Sequence, residues 1–325
     1  MSEFDRAVES EVGAVAASWT GRVDGTSGEY LRWHQVVEPY SATAIPGACV
    51  FVGFASDEGV RRNRGRTGAV AGPGALRGAL ASMALPTPLR AYDAGDVIVT
   101  GTELEAGQEA LANTVSAILD GGHFPIVLGG GHEIAYGTYL GLARSELRRP
   151  GARLGILNLD AHFDLRSDPV PSSGTPFRQI AECERADTWQ YAVIGISQPS
   201  NTRALFDTAD RLGVRYLLDD DCGTANLAAV LKFVDDFLAA VDLVYLTIDL
   251  DVLPAAVAPG VSAPAAYGVP LETVQAVTDR LAASGKLAIC DVAELNPSLD
   301  IDNRTARTAA RLLHRIATRR PAGIG

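Results

Sequence analysis

The chain has 325 residues, of which 47% are hydrophobic and 21% charged, and its formal net charge is −11. One large domain spanning residues 1–325 is expected, because no proline- or glycine-rich break divides the chain. The acidic balance argues against binding to nucleic acid or to an anionic membrane surface. The sequence has no run of about 18 uncharged apolar residues that could span a membrane.

The segment 1–17 is charged and lacks the apolar region of a signal peptide. Four cysteines are widely spaced and form no C-x-x-C pair: Cys49, Cys183, Cys222 and Cys290. Reduced packing cysteines in a cytoplasmic protein are therefore expected.

Short apolar runs alternate with helical patterns along the chain. Strands are predicted at 48–54, 91–97 (the weakest pattern), 125–128, 154–159, 191–196, 214–217, 243–248 and 287–292. Helices are predicted at 74–84, 103–119, 134–146, 201–212, 225–240, 271–283 and 304–318. Such alternation is typical of an α/β fold, in which helices cover both faces of a parallel sheet and ligands bind beyond the carboxyl ends of the strands.

Residues that bind metals follow the predicted strand 154–159. Asp160, His162 and Asp164 stand at alternate positions. Side chains alternate between the two faces of an extended backbone, so these three should point the same way. Two carboxylates and an imidazole at one strand end form half of a metal site.

Two other strand ends supply similar residues. His132 follows strand 125–128 after three glycines, and Asp249 and Asp251 follow strand 243–248. Taken alone, the glycine run is also consistent with a phosphate cradle, and the aspartates with a solvated turn or a helix cap. Glu294 stands after strand 287–292, where it is also consistent with a cap or a salt bridge.

Together these six ligands exceed the four of a structural zinc site. Four carboxylates and two imidazoles suit a pair of harder divalent ions, above all Mn²⁺. Two such ions can hold and ionise a water molecule. The pattern therefore predicts a binuclear metallohydrolase.

Four motifs resemble the ureohydrolase family, which includes arginase, agmatinase and formimidoylglutamase. They are G-G-G-H-E (129–133), D-A-H-F-D (160–164), D-L-D (249–251) with A-P-G-V-S-A-P (258–264) after it, and E-L-N-P (294–297). The resemblance implies a three-layer α/β/α arginase-like fold with a mostly parallel eight-stranded sheet. It also implies two Mn²⁺ per subunit, hydrolysis of a C–N bond in a guanidino or amidino group, and a homo-oligomer.

The resemblance further implies roles for individual residues. One ion would be bound by His132, Asp160, Asp164 and Asp249, and the other by Asp160, His162, Asp249 and Asp251. Glu294 would bind the cationic amidinium or guanidinium group, and Asp164 would transfer protons.

Within the family, four segments resemble the formimidoylglutamase branch: 19–22, 57–66, 172–178 and 200–202. Ser173 and Phe177 stand where agmatinases and arginases, respectively, carry a histidine. The expected reaction is hydrolysis of N-formimidoyl-L-glutamate to L-glutamate and formamide in histidine degradation.

That substrate carries two carboxylates, which arginine recognises well. Arg62 belongs to a basic cluster after the first strand, although a solvated basic loop is the simpler interpretation of any single arginine in it. The residues predicted to contact the substrate are Arg61, Asn63, Arg64, Arg66, Arg166, Ser173, Arg178 and Asn201.

Three other interpretations remain open. The nearest is hydrolysis of another guanidino acid with release of urea. A metal-free regulatory protein is disfavoured, because four unpaired carboxylates at one site would repel each other. A phosphate- or nucleotide-binding protein would rest on the glycine run alone, since the chain lacks G-x-G-x-x-G and a P-loop lysine.

Overall fold

The computed structural model describes residues 19–87, 89–185 and 187–321, so the expectation for segment 1–17 lies outside the described residues. At its centre is a nine-stranded sheet in which all neighbouring strands are parallel. The strands are β1 (Val37–Pro39), β2 (Cys49–Ala55), β3 (Ala91–Ile98), β4 (Phe124–Leu128), β5 (Leu154–Leu159), β6 (Trp189–Ile196), β7 (Arg215–Leu218), β8 (Leu243–Asp249) and β9 (Leu287–Ala293). Their order across the sheet is β1-β3-β2-β4-β9-β8-β5-β6-β7.

Helices cover both faces of this sheet. The described helices are α1 (Glu58–Arg62), α2 (Gly72–Ala81), α3 (Leu104–Asp120), α4 (Ile134–Arg144), α5 (Pro176–Cys183), α6 (Arg203–Leu212), α7 (Leu227–Ala240), α8 (Leu271–Ala282) and α9 (Arg304–Arg319). Helices α2, α7, α8 and α9 pack on one apolar core, and α3, α4, α5 and α6 pack on another. The sheet separates the two cores, which gives the predicted three-layer α/β/α arrangement.

The central strands are buried along their whole length. Every residue of β4, β5, β8 and β9 is buried, which explains their nearly continuous apolar sequences. The register pairs Leu159 with Ile248, and Val292 with both Ile248 and Leu128. These four adjacent strands therefore end at the same level, and the residues that follow them are brought together.

Within the described residues the sheet has nine strands, one more than the predicted eight. The additional strand is β1, which pairs with β3 through Val37 and Ala91. It contains three residues, ends at Pro39 and lies at the edge of the sheet with its side chains largely exposed. Such a strand leaves no apolar alternation in the sequence, because it buries no continuous face.

Two short helices occupy segments for which no helix is predicted. Helix α1 contains Arg61 and Arg62 of the basic cluster, and α5 begins at Pro176 after the loop that follows β5. Proline is favoured in the first turn of a helix because its missing N–H would have no partner there.

In the part of the chain that the structure describes, no helix is long and apolar enough to cross a membrane. The four cysteines are free, and Cys49, Cys222 and Cys290 are buried whereas Cys183 is exposed.

Candidate metal centre

The turn between β4 and α4 places His132 above the sheet. Its glycines pack closely against the end of β2: the Gly130 N–H donates to the Phe54 carbonyl at 2.9 Å, and the Gly131 N–H donates to the Ser56 carbonyl at 3.0 Å. A Cβ on Gly130 would lie 1.8 Å from that Ser56 oxygen. The glycines therefore allow two backbone segments to approach each other, which accounts for them without a phosphate.

His132 lies at the centre of three carboxylates. Its Nδ1 is 2.9 Å from Asp164 Oδ2 and 3.2 Å from both Asp160 Oδ2 and Asp249 Oδ2. This nitrogen is buried and forms no hydrogen bond with any described residue. Its Nε2 lies 2.9 Å from Thr247 Oγ1, so the ring is held while Nδ1 faces the carboxylates.

His162 forms a second group with Asp160 and Asp251. Its Nδ1 is 3.0 Å from Asp251 Oδ2 and 3.5 Å from Asp160 Oδ1. Within each group the candidate ligand atoms lie within 4.8 Å of one another, and Asp160 belongs to both groups. Asp249 belongs to the first group alone, and its Oδ1 accepts the backbone N–H of Asp251 at 2.8 Å. The predicted bridging role of Asp249 therefore stays a prediction.

The electrostatics of the cluster favour a cation. Burial raises the pKa of Asp249, and the charges of Asp251 and Asp160 raise it further. Burial and the charge of Asp160 raise the pKa of Asp164 to about 6. Burial opposes protonation of His132, but Asp160, Asp164 and Asp249 raise its pKa well above the usual value. The crowded carboxylates therefore repel one another, and a bound cation would relieve that repulsion.

The six side chains fit divalent ions. Four carboxylates, two imidazoles and no thiolate form a donor set suited to Mn²⁺ or similar ions. The His132 Nδ1 is buried, faces three carboxylates and forms no hydrogen bond within the described part of the chain, so its lone pair is available to bind a metal ion. Because these side chains bind a metal ion in their deprotonated form, metal affinity would depend on pH.

Glu294 follows β9 and adjoins the cluster. Its Oε1 accepts the backbone N–H of His132 at 2.9 Å, and its own N–H donates to the Gly130 carbonyl at 2.8 Å. Burial, together with the charge of Glu133, raises its pKa to about 8. A carboxyl group held in this way would gain a strong partner from a cationic ligand.

The cluster forms the floor of a cavity of about 460 Å³. Glu294 and five of the predicted metal ligands line it, and Asp160 is buried beneath them. Of the residues predicted to contact substrate, those in the lining are Asn63, Arg64, Arg66, Arg166, Ser173 and Asn201.

The three arginines that line the cavity differ in how strongly their side chains are already bonded to other protein groups. The Arg66 guanidinium donates to the carbonyls of Val261 and Ser262, each at 2.8 Å. Arg166 pairs with Asp168 at 2.9 Å and is exposed. Arg64 is exposed at the rim and, within the described segments, forms no hydrogen bond or ion pair through its side chain. Arg64 and Arg166 are therefore the better placed to meet an anion.

Arg61 and Arg178 lie outside this lining. Arg61 pairs with Glu58 on the same helix at 2.5 Å, and Arg178 pairs with Glu182 at 2.7 Å. Both are ordinary ion pairs between residues three or four apart in a helix. Neither arginine lies in the cavity lining, where substrate contact was predicted, because both side chains are used locally.

Asn201 and Ser173 are engaged with the walls of the cavity. The Asn201 amide donates to the carbonyls of Ala161 and Ser197, and its oxygen accepts the Phe163 N–H. Ser173 Oγ accepts a hydrogen bond from Asn63 at 3.1 Å. Asn201 thus fixes the loop that carries His162 rather than offering a free amide.

Two residues that hold the ligands were not predicted. Thr247 contacts His132 from within β8, and the Asn158 amide donates to Asp160 Oδ2 at 2.8 Å from within β5. A sequence signal exists for both, since each is a polar residue inside an otherwise apolar buried strand, two positions before a ligand. Buried polar groups need partners, so their presence there indicates a nearby polar site.

Comparison with known proteins agrees with this geometry. The arginase family model matches residues 47–318. A formimidoylglutamase of Nocardia farcinica (strain IFM 10152) is 72% identical over 311 residues, which cover 95% of this chain and 99% of that protein.

Solved structures are similar as well. Trypanosoma cruzi formiminoglutamase with Mn²⁺ is 28% identical, with a TM-score of 0.73 over 84% of this chain and 94% of that one. The formimidoylglutamase from Bacillus subtilis shares the fold, with a TM-score of 0.78 at 23% identity over 94% of this chain and 98% of that one. The strand-end ligands, the sheet and the sequence agree on one conclusion: the chain belongs to the arginase family.

Proposed function

We propose that this protein is a formimidoylglutamase, which hydrolyses N-formimidoyl-L-glutamate to L-glutamate and formamide. The observation that carries the proposal is the cavity itself, which joins the six-ligand cluster and Glu294 at its floor to Arg64 and Arg166 at its rim. A substrate with one cationic amidine and two carboxylates matches that distribution of charge. The high identity to a formimidoylglutamase over nearly the whole chain supports the same activity.

The cofactor proposed is Mn²⁺, two ions per subunit, because the donors divide into two groups that share Asp160. His132, Asp160, Asp164 and Asp249 would hold one ion, and Asp160, His162, Asp249 and Asp251 the other. When bound, such ions act as Lewis acids and lower the pKa of water.

The chain's own groups orient the substrate and move its protons. The Glu294 carboxylate accepts N–H bonds from the amidinium and holds its carbon over the floor of the cavity. Asp164 takes a proton from the attacking water and returns it to the departing nitrogen. A C–O bond forms, the bond between carbon and the glutamate nitrogen breaks, and the proton leaves with that nitrogen.

The carboxylates of the substrate are assigned to the rim. Arg64 and Arg166 are exposed at the edge of the cavity, where an anion can reach them. Arginine binds a carboxylate through two parallel N–H bonds, which fixes orientation as well as position. Agmatine has no carboxylate and would gain nothing from these arginines.

The second candidate is hydrolysis of a guanidino acid with release of urea, favoured by the same anionic floor and basic rim. Against an arginase-like form of this reaction, Phe177 is fully buried and stacks on Tyr191 at 4.4 Å between ring centroids, so no polar group takes the place of the arginase histidine there. We also propose that the protein acts in histidine degradation, is located in the cytoplasm and forms a homo-oligomer.

A panel of matched substrates tests the proposal. Purified protein loaded with Mn²⁺ is incubated with N-formimidoyl-L-glutamate, 4-guanidinobutyrate and agmatine, and formamide and urea are measured in each reaction. We expect formamide from the first compound. Its kcat/KM should be at least about 100-fold above that for urea release from the other two, because polar groups of the site left without a matching partner cost a few kcal/mol. Urea from 4-guanidinobutyrate as the main activity would select the second candidate.

A further inference from the structure

Arg62 links three segments around the mouth of the cavity, although it does not line the cavity itself. Its side chain is 13% exposed and bonds Glu58 on α1 at 2.8 Å and Glu105 at the start of α3 at 2.6 Å. It also donates to two backbone carbonyls, that of Thr102 at 2.8 Å and that of Pro171 at 3.1 Å. One guanidinium therefore joins segments that lie far apart in the sequence.

The Pro171 carbonyl begins the segment 171–175, which forms one wall of the cavity. Ser173 and Gly174 line the cavity, and the Gly174 carbonyl accepts the Arg166 N–H at 3.0 Å. A Cβ on Gly174 would lie 2.7 Å from Arg166 Cδ, so this wall packs tightly against one of the rim arginines. The position of this wall therefore bears on the position of Arg166.

A second, adjacent part of the cavity lining follows directly from Arg62 in the chain. The Asn63 amide donates a hydrogen bond to Ser173 Oγ at 3.1 Å, and Arg64, the next residue, has a left-handed backbone with a φ of 61°. Fixing Arg62 at the end of the short helix α1 therefore also fixes Asn63 and Arg64. The two walls meet through the Asn63–Ser173 hydrogen bond, and Arg62 holds each of them from outside.

We propose that Arg62 is a positioning residue for substrate affinity: it clamps segment 171–175 against the end of α1 and so sets the distance between Arg64 and Arg166. This inference rests on the proposed function for the identity of the substrate. Glu58 is buried, and hydrogen bonds from Arg61 and from Arg62 lower its pKa. Lysine could not replace this clamp, because a single ammonium cannot reach two carboxylates and two carbonyls in a fixed planar geometry.

Arg61 provides a matched control. It precedes Arg62 on the same helix and pairs with the same Glu58, but it is 57% exposed and makes no bond to segment 171–175. Replacing either arginine by glutamine removes one positive charge next to Glu58. Only the change at position 62 also removes the links to Glu105, Thr102 and Pro171.

Hydrogen exchange and kinetics on Arg62→Gln and Arg61→Gln test the proposal. In Arg62→Gln we expect faster amide exchange in segment 171–175 and a KM raised about tenfold, which corresponds to about 1.4 kcal/mol. The kcat should change less than threefold and the Mn²⁺ content should stay the same, because the metal ligands are untouched. Arg61→Gln should match the unmodified protein in all four measurements, and Arg62→Lys should lie between the two.

Equal exchange rates in Arg61→Gln and Arg62→Gln, or a fall in kcat or metal content at unchanged KM, would overturn the clamp. If Arg62→Gln fails to fold, Arg62→Lys and Glu105→Gln, at an exposed residue, provide milder changes. Unchanged amide exchange of segment 171–175 in both of these variants would also contradict the proposed clamp. If the unmodified protein does not turn over N-formimidoyl-L-glutamate, the proposed function is wrong. The exchange measurement still decides whether Arg62 holds the wall.

Discussion

Three residues that line the cavity have a positive φ without being glycine. Arg64, Asp164 and Glu294 have φ values of 61°, 50° and 69°. Such a backbone costs on the order of 1–3 kcal/mol at a non-glycine residue and persists only where the surroundings impose it. For Glu294 these surroundings are the β4–α4 turn, because both its backbone N–H and its carboxylate form hydrogen bonds with that turn. The chain thus accepts backbone strain at the residues proposed to bind and to react.

Replacing Asp249 by asparagine tests the metal ligands. Asparagine keeps the size of the side chain and can still accept the Asp251 N–H, but it removes one of the charges that the cluster offers to a cation. We expect a loss of Mn²⁺ affinity above about 100-fold, because even changes behind the ligands cost 10–100-fold. Metal analysis after dialysis measures how much Mn²⁺ the variant retains, and Asp235→Asn, a change at an exposed residue, is the control. Full retention of both ions and full activity would disprove the bridging role.

Replacing Glu294 by glutamine separates substrate binding from metal binding. Glutamine can still accept the His132 N–H, so the turn that presents His132 should persist. It cannot form the charged pair with an amidinium, and kcat/KM should fall about 100- to 1,000-fold, the cost of removing one strong electrostatic contact to a reacting group. Mn²⁺ content should remain that of the unmodified protein. A variant that loses metal in proportion to activity would place Glu294 in the metal site instead.

At the level of elements, the β4–α4 turn is where packing and chemistry depend on each other most directly. Gly130 touches the end of β2, its carbonyl bonds Glu294, and His132 follows two residues later. The strand end, the glycines and the ligand are therefore one unit. Moving the backbone here would move both a metal ligand and the residue proposed to hold the substrate.

Gly130→Ala tests this unit. Its new Cβ would lie 1.8 Å from a backbone oxygen that cannot rotate away. We expect the free energy of unfolding to fall by about 3 kcal/mol or more, as for other changes that force backbone to move. Gly78→Ala is the control: its Cβ meets nothing within 4 Å inside α2, and it should stabilise by about 0.5–1 kcal/mol. Equal stabilities of the two variants in urea would refute the close approach.

The sequence predicts the buried elements well, because burial on both faces leaves continuous apolar runs. Strand 154–159 coincides with β5, and the other predicted strands end close to the observed ones. The sequence does not reveal β1, α1 or α5, which are short and contact residues elsewhere in the chain. Arg62 illustrates the limit: its spacing from Glu58 could be seen, but its bonds to Thr102 and Pro171 involve backbone carbonyls, which no residue type reveals.

The convergence of the candidate ligands was predictable for a different reason. Parallel strands bring their carboxyl ends to one edge, so ligand residues after separate strands had to converge. The sequence could not show that Arg61 and Arg178 turn to glutamates on their own helices, nor that Asn201 bonds the backbone. Those outcomes depend on side-chain direction, which spacing alone leaves open.

At the level of the whole molecule, folding and metal binding should be coupled. The folded chain gathers four carboxylates that an unfolded chain keeps apart, so an ion that binds only the folded state must stabilise it. Mn²⁺ at 100 times its Kd adds about 2.7 kcal/mol, and the Tm should rise by about 5 °C or more. Scanning calorimetry with chelator and with Mn²⁺ measures this, and Asp249→Asn should show a smaller rise. An equal Tm with chelator and with Mn²⁺ would contradict the proposed metal centre.

The nine-stranded sheet also bears on the predicted single domain. Strands from β1 to β9 share one sheet, and each core draws on helices from distant parts of the sequence. One cooperative unfolding transition is therefore expected in denaturant for the part of the chain that the structure describes. Two separated transitions in the metal-free protein would contradict the prediction.

The most direct test of the proposed reaction is to follow the reacting carbon. N-formimidoyl-L-glutamate labelled with ¹³C at the formimidoyl carbon is incubated with the Mn²⁺-loaded protein, and the products are identified by NMR. Water attack at that carbon leaves two nitrogens that could depart. We predict that the glutamate nitrogen leaves, so that the label appears in formamide beside free L-glutamate. Label in N-formyl-L-glutamate with release of ammonia, or no conversion at all, would contradict it.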